Sequence, residues 1–419
     1  MTMIDTVQAG QPPKLSRDAE KRDLIRKLRS ADRAGKLRAF GLVAPLLIFL
    51  MLSFLVPIGF LLFKAIDNRE ISQVLPRTAT LLSDWGQDVE QPPPALYAAL
   101  AEDLRDADSG KIADAARRLN FYDAGLRSML MKAARAVSDP DADPRSALLE
   151  ADAEWGQPRV WRKIQQASPG FTTYYFLRAV DLDRDAKGQI VSAEAEIYRD
   201  ALWRTLAVGL GVTICCLMLG YPLAYLLSSV RDRTARLLMV FVLLPFWTSL
   251  LVRTTAWLVL LQGNGVVNSL LQGIGLTDAP LELVHNRIGV FIAMTHILLP
   301  FAVLPILAVM KGIPPGYMRA AGSLGAPPWR AFIEIYLPLT MPGVGAGALL
   351  VFILSLGYYI TPTLLGGAKD QMMSSFIAFF VNQSTNWSMA AALACVLMAI
   401  IVILYVLLAV AIGRRKAGV

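Results

Sequence analysis

The stretch Arg319-Ala320-Ala321-Gly322-Ser323-Leu324-Gly325, followed by Ile335-Tyr336-Leu337-Pro338, lies in the connection between two long apolar runs. Its small residues favour a short helix over residues 316–324, and Gly325 can take the left-handed backbone conformation that ends a helix. A pair of prolines then suits the first turn of a second helix, over residues 329–336. We therefore expect two short helices at an angle, carrying small residues and one large aromatic, Trp329, that fit a groove on another protein.

The chain is too apolar for a soluble protein of its size. Its 419 residues are 55% hydrophobic and 18% charged, with a mean hydropathy of +0.47, outside the usual range of soluble domains. Six apolar runs each come near the roughly 20 residues that a spanning helix needs. They lie at residues 40–64, 203–230, 237–261, 290–310, 344–365 and 389–412. The sequence therefore predicts an all-α membrane protein with six transmembrane helices, the first over residues 40–65.

Basic residues mark one side of the membrane. They cluster before the first run, in the second and fourth connections and after the last run, as Lys14, Arg17, Lys21, Arg22, Arg26, Lys27, Arg29, Arg33, Lys36, Arg38, Arg231, Arg233, Arg236, Lys311, Arg319, Arg330, Arg414, Arg415 and Lys416. With six spans these clusters share one side, which the positive-inside rule assigns to the cytoplasm. Both tails, residues 1–39 and 414–419, are thus expected in the cytoplasm. The net charge of +8 reports this topology rather than nucleic-acid binding, and the first tail is expected to touch anionic membrane lipid.

A hydrophilic insert of residues 66–200 separates the first two runs and is expected on the external, periplasmic side of the membrane. It is long enough for a small domain. Helical periodicity over residues 95–107, 121–137 and 159–167 predicts that the insert is mainly helical. The aromatic segment 171–177 favours either a strand or a segment at the membrane surface.

An acidic segment near the end of the insert resembles part of a calcium-binding loop, through Asp181, Asp183, Asp185 and Gly188. An EF-hand requires Gly at its sixth position and Glu at its twelfth, where this chain has Ala186 and Ser192. A solvated turn between two strands is therefore favoured over a calcium site.

The predicted spans contain little ionisable chemistry. No Asp or Glu lies in their interior, where Arg253 and His296 are the only basic side chains. An ion-coupled carrier normally needs an intramembrane carboxylate or a broken-helix ion site, and the chain has no phosphate loop for ATP. Cys215, Cys216 and Cys395 lie within spans without acidic or His neighbours, so we expect packing residues and no metal site. Energy must therefore enter from a separate polypeptide.

The loop that joins the fourth and fifth runs resembles the EAA loop of ATP-binding-cassette (ABC) importer permeases. Ala320, Ala321, Gly325, Ile335, Leu337 and Pro338 fall at the spacings of that motif, and Arg319 stands where the usual Glu would be. The resemblance implies that these residues and Trp329 form the contact to the ATPase, within a coupling loop of residues 312–340 and a permease core of residues 201–413. It also implies a non-catalytic chain without a cofactor of its own. ATP and Mg would be bound by a dimer of ATPase subunits, beside a second permease and a periplasmic solute-binding protein, in a bacterial inner membrane.

Four further segments are similar to the spermidine/putrescine type of these permeases. They are Gly220-Tyr221-Pro222-Leu223-Ala224-Tyr225, residues 244–254 (LPFWTSLLVRT), residues 268–271 (NSLL) and residues 361–367 (TPTLLGG). The similarity covers residues 198–412 and the first span, and it excludes the insert and the basic tail. It implies a polyamine importer.

The candidate lining of the transport pathway consists of polar and aromatic residues in or near the spans, Trp247, Thr248, Ser249, Arg253, His296, Tyr358, Tyr359 and Thr361. Aromatic faces attract ammonium groups by about 0.5–2 kcal/mol per contact. Interfacial anchoring is the alternative role for Tyr358 and Tyr359, hydrogen-bonded packing for His296, and a structural role for Arg253.

Arg253 also bears on the cargo, because a cation in the pathway repels cations. If it faces the pathway, an anionic or zwitterionic solute of the phosphonate or opine type is the alternative. A membrane-anchored external domain with a sensory or scaffold role is a further alternative, for which the large insert is the main argument. Six spans weigh against it, since an anchor needs one.

Overall fold

The computed structural model describes the backbone of residues 14–86, 91–184, 189–193 and 195–417, and the side chains of residues 40–86, 91–184, 189–193 and 195–406. Helices make up almost all of the regular structure in these ranges. Six helical segments are long and apolar enough to cross a membrane: Phe40–Ile66, Ile197–Ser229, Leu250–Gly273, Arg287–Lys311, Pro328–Gly357 and Trp387–Val406. The predicted all-α fold with six spans is confirmed. The basic side chains of both predicted tails lie outside the described residues.

The chain divides into two compact units, Met1–Leu61 and Leu62–Val419. The first contributes most of helix α1, Lys14–Ile66, so the predicted basic tail continues directly into the first span as helix from Lys14 onward. The insert follows with α2 Arg69–Val74, α3 Pro76–Asp84, α4 Pro94–Asp106, α5 Ser109–Leu119, α6 Leu126–Ala136, α7 Pro144–Ala151, α8 Pro158–Ala167, α9 Tyr174–Arg178, β1 Leu182–Arg184 and β2 Ile190–Ser192.

The insert is mainly helical, as its periodicity predicts. Helices α4 and α8 match the predicted segments 95–107 and 159–167 within one residue at each end. Helix α6 begins five residues later than predicted, because Gly125 has a left-handed backbone (φ +101°) that interrupts the segment. Aromatic residues lie at the centre of the insert. The Tyr97 hydroxyl and the Trp161 indole N–H both donate hydrogen bonds to the carbonyl oxygen of Trp155, at 3.0 and 2.8 Å.

Of the two alternatives for residues 171–177, the strand is wrong. Only Phe171 makes a β-bridge, with Asp67, and Tyr174–Arg178 forms α9 instead. The reason is tertiary, because Tyr174 stacks on Tyr122 with ring centroids 4.1 Å apart and this packing overrides the local preference for a strand. Phe171 is 61% exposed and meets Phe63 edge-to-face, at the end of the first span.

Two antiparallel strands flank the acidic segment, with Leu182 paired to Ser192, as the turn interpretation predicts. Asp185 and Gly188 lie outside the described residues. The Asp181 carboxylate accepts the backbone N–H groups of Tyr198 and Arg199, at 3.1 and 2.7 Å. This places it at the start of α10 as a helix cap, while Asp183 forms an ion pair with Arg178. Both described carboxylates are thus already engaged.

The remaining helices are α10 Ile197–Ser229, α11 Asp232–Leu243, α12 Leu250–Leu261, α13 Val266–Gly273, α14 Arg287–Lys311, α15 Gly316–Ser323, α16 Pro328–Ala331, α17 Leu337–Gly357, α18 Ile360–Leu365, α19 Met373–Asn382 and α20 Trp387–Ala417. Helices α10, α14 and α17 form the centre of this core. A Cβ at Gly347 of α17 would lie 2.9 Å from the carbonyl oxygen of Ala302 in α14, and one at Gly343 would lie 3.0 Å from that of Pro305. Small residues at this spacing let two membrane helices approach closely.

Two predicted spans are not continuous helices. The run 237–261 is broken between α11 and α12, where Pro245 lies in a 3₁₀ turn and the Ser249 hydroxyl accepts the N–H of Val252. The run 344–365 is broken after Gly357. Pro362 has no N–H to offer the carbonyl of Tyr358 one turn earlier, and that carbonyl accepts a hydrogen bond from the Ser374 hydroxyl at 2.7 Å instead.

The insert is fixed to the core by a buried arginine. Arg118 of α5 is 4% exposed. Its guanidinium donates to the Ser388 hydroxyl of α20 (2.7 Å), to the Asn68 side-chain oxygen (3.0 Å) and to the Asp67 carbonyl (2.6 Å). The apolar core of the insert continues into α19 and α20 through Met373, Met389 and neighbouring residues. The insert is therefore part of one packed unit with the N-terminal turns of these helices.

Candidate functional site

The loop between α14 and α17 has the helix–turn–helix shape that its sequence predicts. Helix α15 ends at Ser323 with Leu324 as its C-cap, and Gly325 has a left-handed backbone with φ +82°. The N–H of Ala326 returns to the carbonyl of Ala321 at 3.0 Å, which is the closing bond of a glycine-terminated helix. Helix α16 then starts with Pro328 at its first position. We call residues 316–336 the knob.

The second helix of the knob is not separate from the following span. Helix α16 passes through one π-helical turn, Phe332–Tyr336, directly into α17. Ile335, Leu337 and Pro338 lie at this junction. A displacement of the knob is therefore applied to the end of a membrane-spanning helix without an intervening loop.

The outer surface of the knob is apolar and exposed. Leu324 is 89% exposed, Trp329 64%, and Tyr317 and Ile333 53% each. Arg319, Ala320 and Gly325 are also exposed. Ala321 and Ala331 are buried, because their small side chains let the knob close on itself. The sequence pattern predicts a surface role for Trp329 but not for Leu324, Tyr317 and Ile333, whose exposure follows from the turn at Gly325 rather than from any periodicity.

An aromatic cluster connects the knob to α10. Phe332 and Tyr336 stack with ring centroids 5.6 Å apart, and Tyr225 of α10 packs edge-on against both, at 5.6 Å each. The hydroxyls of Tyr221 and Thr340 are 3.1 Å apart. The knob is thus in contact with two spans, α17 by chain continuity and α10 by aromatic packing.

Gly325→Ala is expected to loosen the knob. A Cβ there meets nothing within 4 Å, so the penalty comes from the left-handed backbone alone, about 1–2 kcal/mol. Gly322→Ala is the matched control, since Gly322 is helical and equally open, and alanine should stabilise it by about 0.5–1 kcal/mol. Hydrogen–deuterium exchange of the knob in the reconstituted chain measures both. Equal protection in the two variants would contradict the expectation.

A second group of candidate residues converges inside the spans. Ser249, Arg253 and Trp257 follow one another at four-residue intervals and so share a face of α12. The indole N–H of Trp257 donates to Nδ1 of His296 in α14 at 3.1 Å. The guanidinium of Arg253 is close enough to interact electrostatically with both His296 and Tyr358. We call Ser249, Arg253, Trp257, His296 and Tyr358 the polar stripe.

The other predicted lining residues lie elsewhere. Trp247 is 82% exposed, and the Thr248 hydroxyl donates to the carbonyl of Pro245 in the turn between α11 and α12. Tyr359 is 39% exposed beside the break after α17. Thr361 is fully buried with its hydroxyl 3.2 Å from that of Thr254, so it joins α18 to α12 rather than facing a cavity. Trp257 is not among the residues predicted from the sequence, although its position one turn after Arg253 was a usable signal.

A cavity of about 1070 Å³ opens at the end of the core where α12 ends and α14 begins. It is lined by Gly263, residues 280–287 and residues 367–370. The ion pair between Arg287 and Asp370, 3.0 Å long, joins two sides of its wall. Among the residues described, no cluster of three or more His, Cys, Asp or Glu could hold a metal ion.

Known proteins match the core. The family described as "binding-protein-dependent transport system inner membrane component" matches residues 217–417. The spermidine/putrescine transport system permease protein PotB of Haemophilus influenzae is 35% identical over 212 residues, 50% of this chain and 74% of that protein. PotB of Escherichia coli K12 is 34% identical over 196 residues, 47% of this chain and 71% of that protein. The chain belongs to this family of inner-membrane transport components.

This permease is therefore the membrane subunit of an ABC importer and a transport component rather than an enzyme. Among solved structures, one is a bacterial alginate ABC transporter in complex with an alginate pentasaccharide-bound periplasmic protein. The similarity covers 51% of this chain and 78% of the matched chain of that transporter, with 19% sequence identity and a TM-score of 0.43. The family match begins at residue 217, so the insert lies outside it.

Proposed function

We propose that this permease carries spermidine or putrescine inward, driven by ATP that a partner hydrolyses. The supporting observation is the identity of 34–35% to PotB proteins over more than two thirds of their length, proteins whose names specify spermidine/putrescine transport. The importer would comprise this chain, a second permease, a dimer of ATPase subunits that binds ATP and Mg, and a periplasmic solute-binding protein.

The knob would receive the movement of the ATPase. Its exposed Leu324 and Trp329 supply the apolar anchors that a groove on a partner protein requires. Closure of the ATPase dimer would push the knob, and α17 and α10 would follow because both contact it. The spans would then alternate between inward and outward access.

The insert would lie on the periplasmic side, with both termini in the cytoplasm. In that orientation the 1070 Å³ cavity opens toward the periplasm, where a loaded binding protein would release its solute. Because Arg118 fixes the insert to the first turn of α20, the insert would form a rigid wall beside this entrance. We propose that it contacts the docked binding protein.

The polar stripe would guide the solute without holding it tightly. It contains no carboxylate, and a conduit that bound a polyamine strongly would have to lose that binding free energy again at release. Tyr358 and Trp257 offer aromatic faces, which attract ammonium groups weakly. Selectivity is then left to the solute-binding protein.

Deleting this chain in the source organism is expected to abolish uptake of labelled spermidine and putrescine, and expression of the intact chain should restore it. A Trp329→Asp, Leu324→Asp double variant should reach the membrane but fail to restore uptake, since its knob presents charge where the partner needs apolar contact. Unchanged polyamine uptake in the deletion strain would refute the proposed cargo.

An anionic or zwitterionic solute is the second candidate, and Arg253 favours it. Among the residues described, the Arg253 guanidinium has no ion-pair partner, and its only hydrogen bond is a long one of 3.5 Å to the carbonyl of Ser249. Arg253→Gln should raise spermidine uptake if the cargo is a polyamine and lower uptake of the solute if the cargo is an anion. Equal rates for wild type and variant would remove Arg253 from the pathway.

A further inference from the structure

The hydrogen bond between Trp257 and His296 determines the protonation state and the tautomer of the imidazole. An indole N–H can only donate, so the Nδ1 that accepts it at 3.1 Å must carry a lone pair. The imidazole is then neutral, with its proton on Nε2. The rings meet edge-to-face with centroids 5.4 Å apart, which also restricts rotation of the imidazole.

The polar stripe must face either the solute route or the second permease, because a guanidinium exposed to lipid is costly. His296 and Trp257 both retain accessible surface in this chain, and Arg253 lies one turn from Trp257 on the same face of α12. Nε2–H of His296 is therefore a hydrogen-bond donor without a partner among the described residues. It stands next to one permanent positive charge.

We propose that Trp257 is a positioning residue that keeps His296 an uncharged donor in the transport route. Among the described residues, the imidazole accepts a hydrogen bond from the indole of Trp257 and interacts electrostatically with Arg253, both on α12. No other charged group of the described residues is seen to interact with it. If His296 took up a proton at Nδ1, the route would contain two adjacent cations. With Trp257 in place it contains one.

The transport consequence rests on the proposed polyamine cargo, whereas the tautomer does not. A polycation passing two fixed charges would meet a higher barrier than one passing Arg253 alone. We therefore expect that protonation of His296 does not make polyamine uptake by the wild-type permease depend on pH.

The tautomer can be observed directly, because the chain contains only two histidines. Asparagine suits position 285, where the backbone is left-handed (φ +56°), so His285→Asn leaves His296 as the single imidazole. In the full chain labelled with ¹⁵N-histidine and reconstituted in lipid, we expect an unprotonated Nδ1 and a protonated Nε2 between about pH 5 and pH 8, the range in which free imidazole titrates.

Trp257→Phe keeps the aromatic ring and removes the N–H. In that variant we expect the imidazole to populate both tautomers and to gain a proton at the acidic end of the same range. Trp203→Phe is the matched control, since Trp203 is 74% exposed on α10 and should leave the spectrum unchanged. A protonated Nδ1 in the parent chain, or an identical spectrum for Trp257→Phe, would overturn the proposal.

Measuring spermidine uptake tests the functional consequence. Without the His285 substitution, Trp257→Phe should lose spermidine uptake at acidic pH and recover it toward pH 8, while uptake by the wild-type and Trp203→Phe chains should not change with pH. An equal loss at every pH would mean that Trp257 only packs, and would contradict the proposed role. If the wild-type chain imports no polyamine at all, the proposed cargo is wrong, while the spectroscopic result still decides the tautomer.

Discussion

Gly347→Val is expected to prevent α14 and α17 from packing. The Cβ would lie 2.9 Å from the carbonyl oxygen of Ala302 and 3.3 Å from its Cα. Both are backbone atoms, so neither can move aside without shifting a helix. Forcing extra groups into a packed interface usually costs about 1–3 kcal/mol, and a clash with backbone at the centre of the core should reach the upper end. The measurement is thermal unfolding of the detergent-solubilised chain, followed by size-exclusion chromatography.

Gly345→Val provides the control within the same helix. A Cβ at Gly345 meets nothing within 4 Å, and valine has the same helix propensity at both positions. We expect the Gly345 variant to unfold near the wild-type temperature and the Gly347 variant well below it. Similar melting temperatures would mean that α14 and α17 are not in the close contact described.

Arg118→Met should release the insert from the core. Hydrogen bonds to a charged group contribute roughly 1.5–3 kcal/mol each, and the variant loses those to Ser388, Asn68 and the Asp67 carbonyl together. It also leaves these three oxygen atoms buried without the donor that satisfied them. Methionine preserves much of the side-chain volume, so the loss reports the polar contacts. Limited proteolysis of the reconstituted chain should then cut within α5 or between α8 and α9 far faster than in the wild type.

The neighbouring arginine offers a matched control. The side chain of Arg117 is 43% exposed, and among the described residues its one ion pair is with Asp114, at 3.5 Å, a kind of surface pair that contributes about 0–1 kcal/mol. Arg117→Met should therefore leave proteolysis unchanged. If Arg118→Met releases the insert but uptake persists at the wild-type rate, the insert is not needed as a fixed wall at the entrance. If neither variant alters proteolysis, Arg118 does not hold the insert.

Local signals decided the parts of the fold that the sequence predicts well. The knob depends on Gly325 and two prolines, whose backbone preferences act within a few residues, and it is found as expected. The helices α4 and α8 likewise follow from apolar periodicity over about three turns. Pro245 and Pro362 were equally local signals. The breaks that they cause were not predicted, because the runs around them are apolar enough to be taken for continuous spans.

The candidate pathway was predicted only in part, because facing residues come from different helices. Arg253, His296 and Tyr358 do converge, whereas Thr361 is buried against Thr254. The one signal in the sequence is that Trp257 lies one turn after Arg253, and this spacing alone does not distinguish it from a lipid-facing tryptophan. Its role depends on the approach of α14, more than thirty residues away along the chain.

By itself the sequence determined that this chain spans a membrane six times and that it has a small-residue knob, and it predicts that the energy for transport comes from a partner. Hydropathy, charge and backbone preference are properties of single residues and short segments, so they can be evaluated without knowing which residues are neighbours in space. Only the tertiary structure decided that α9 is a helix, that Trp257 orients His296, and that Arg118 joins the insert to Ser388, 270 residues later. Contacts of this kind depend on how separate helices approach one another, and no local pattern encodes that distance.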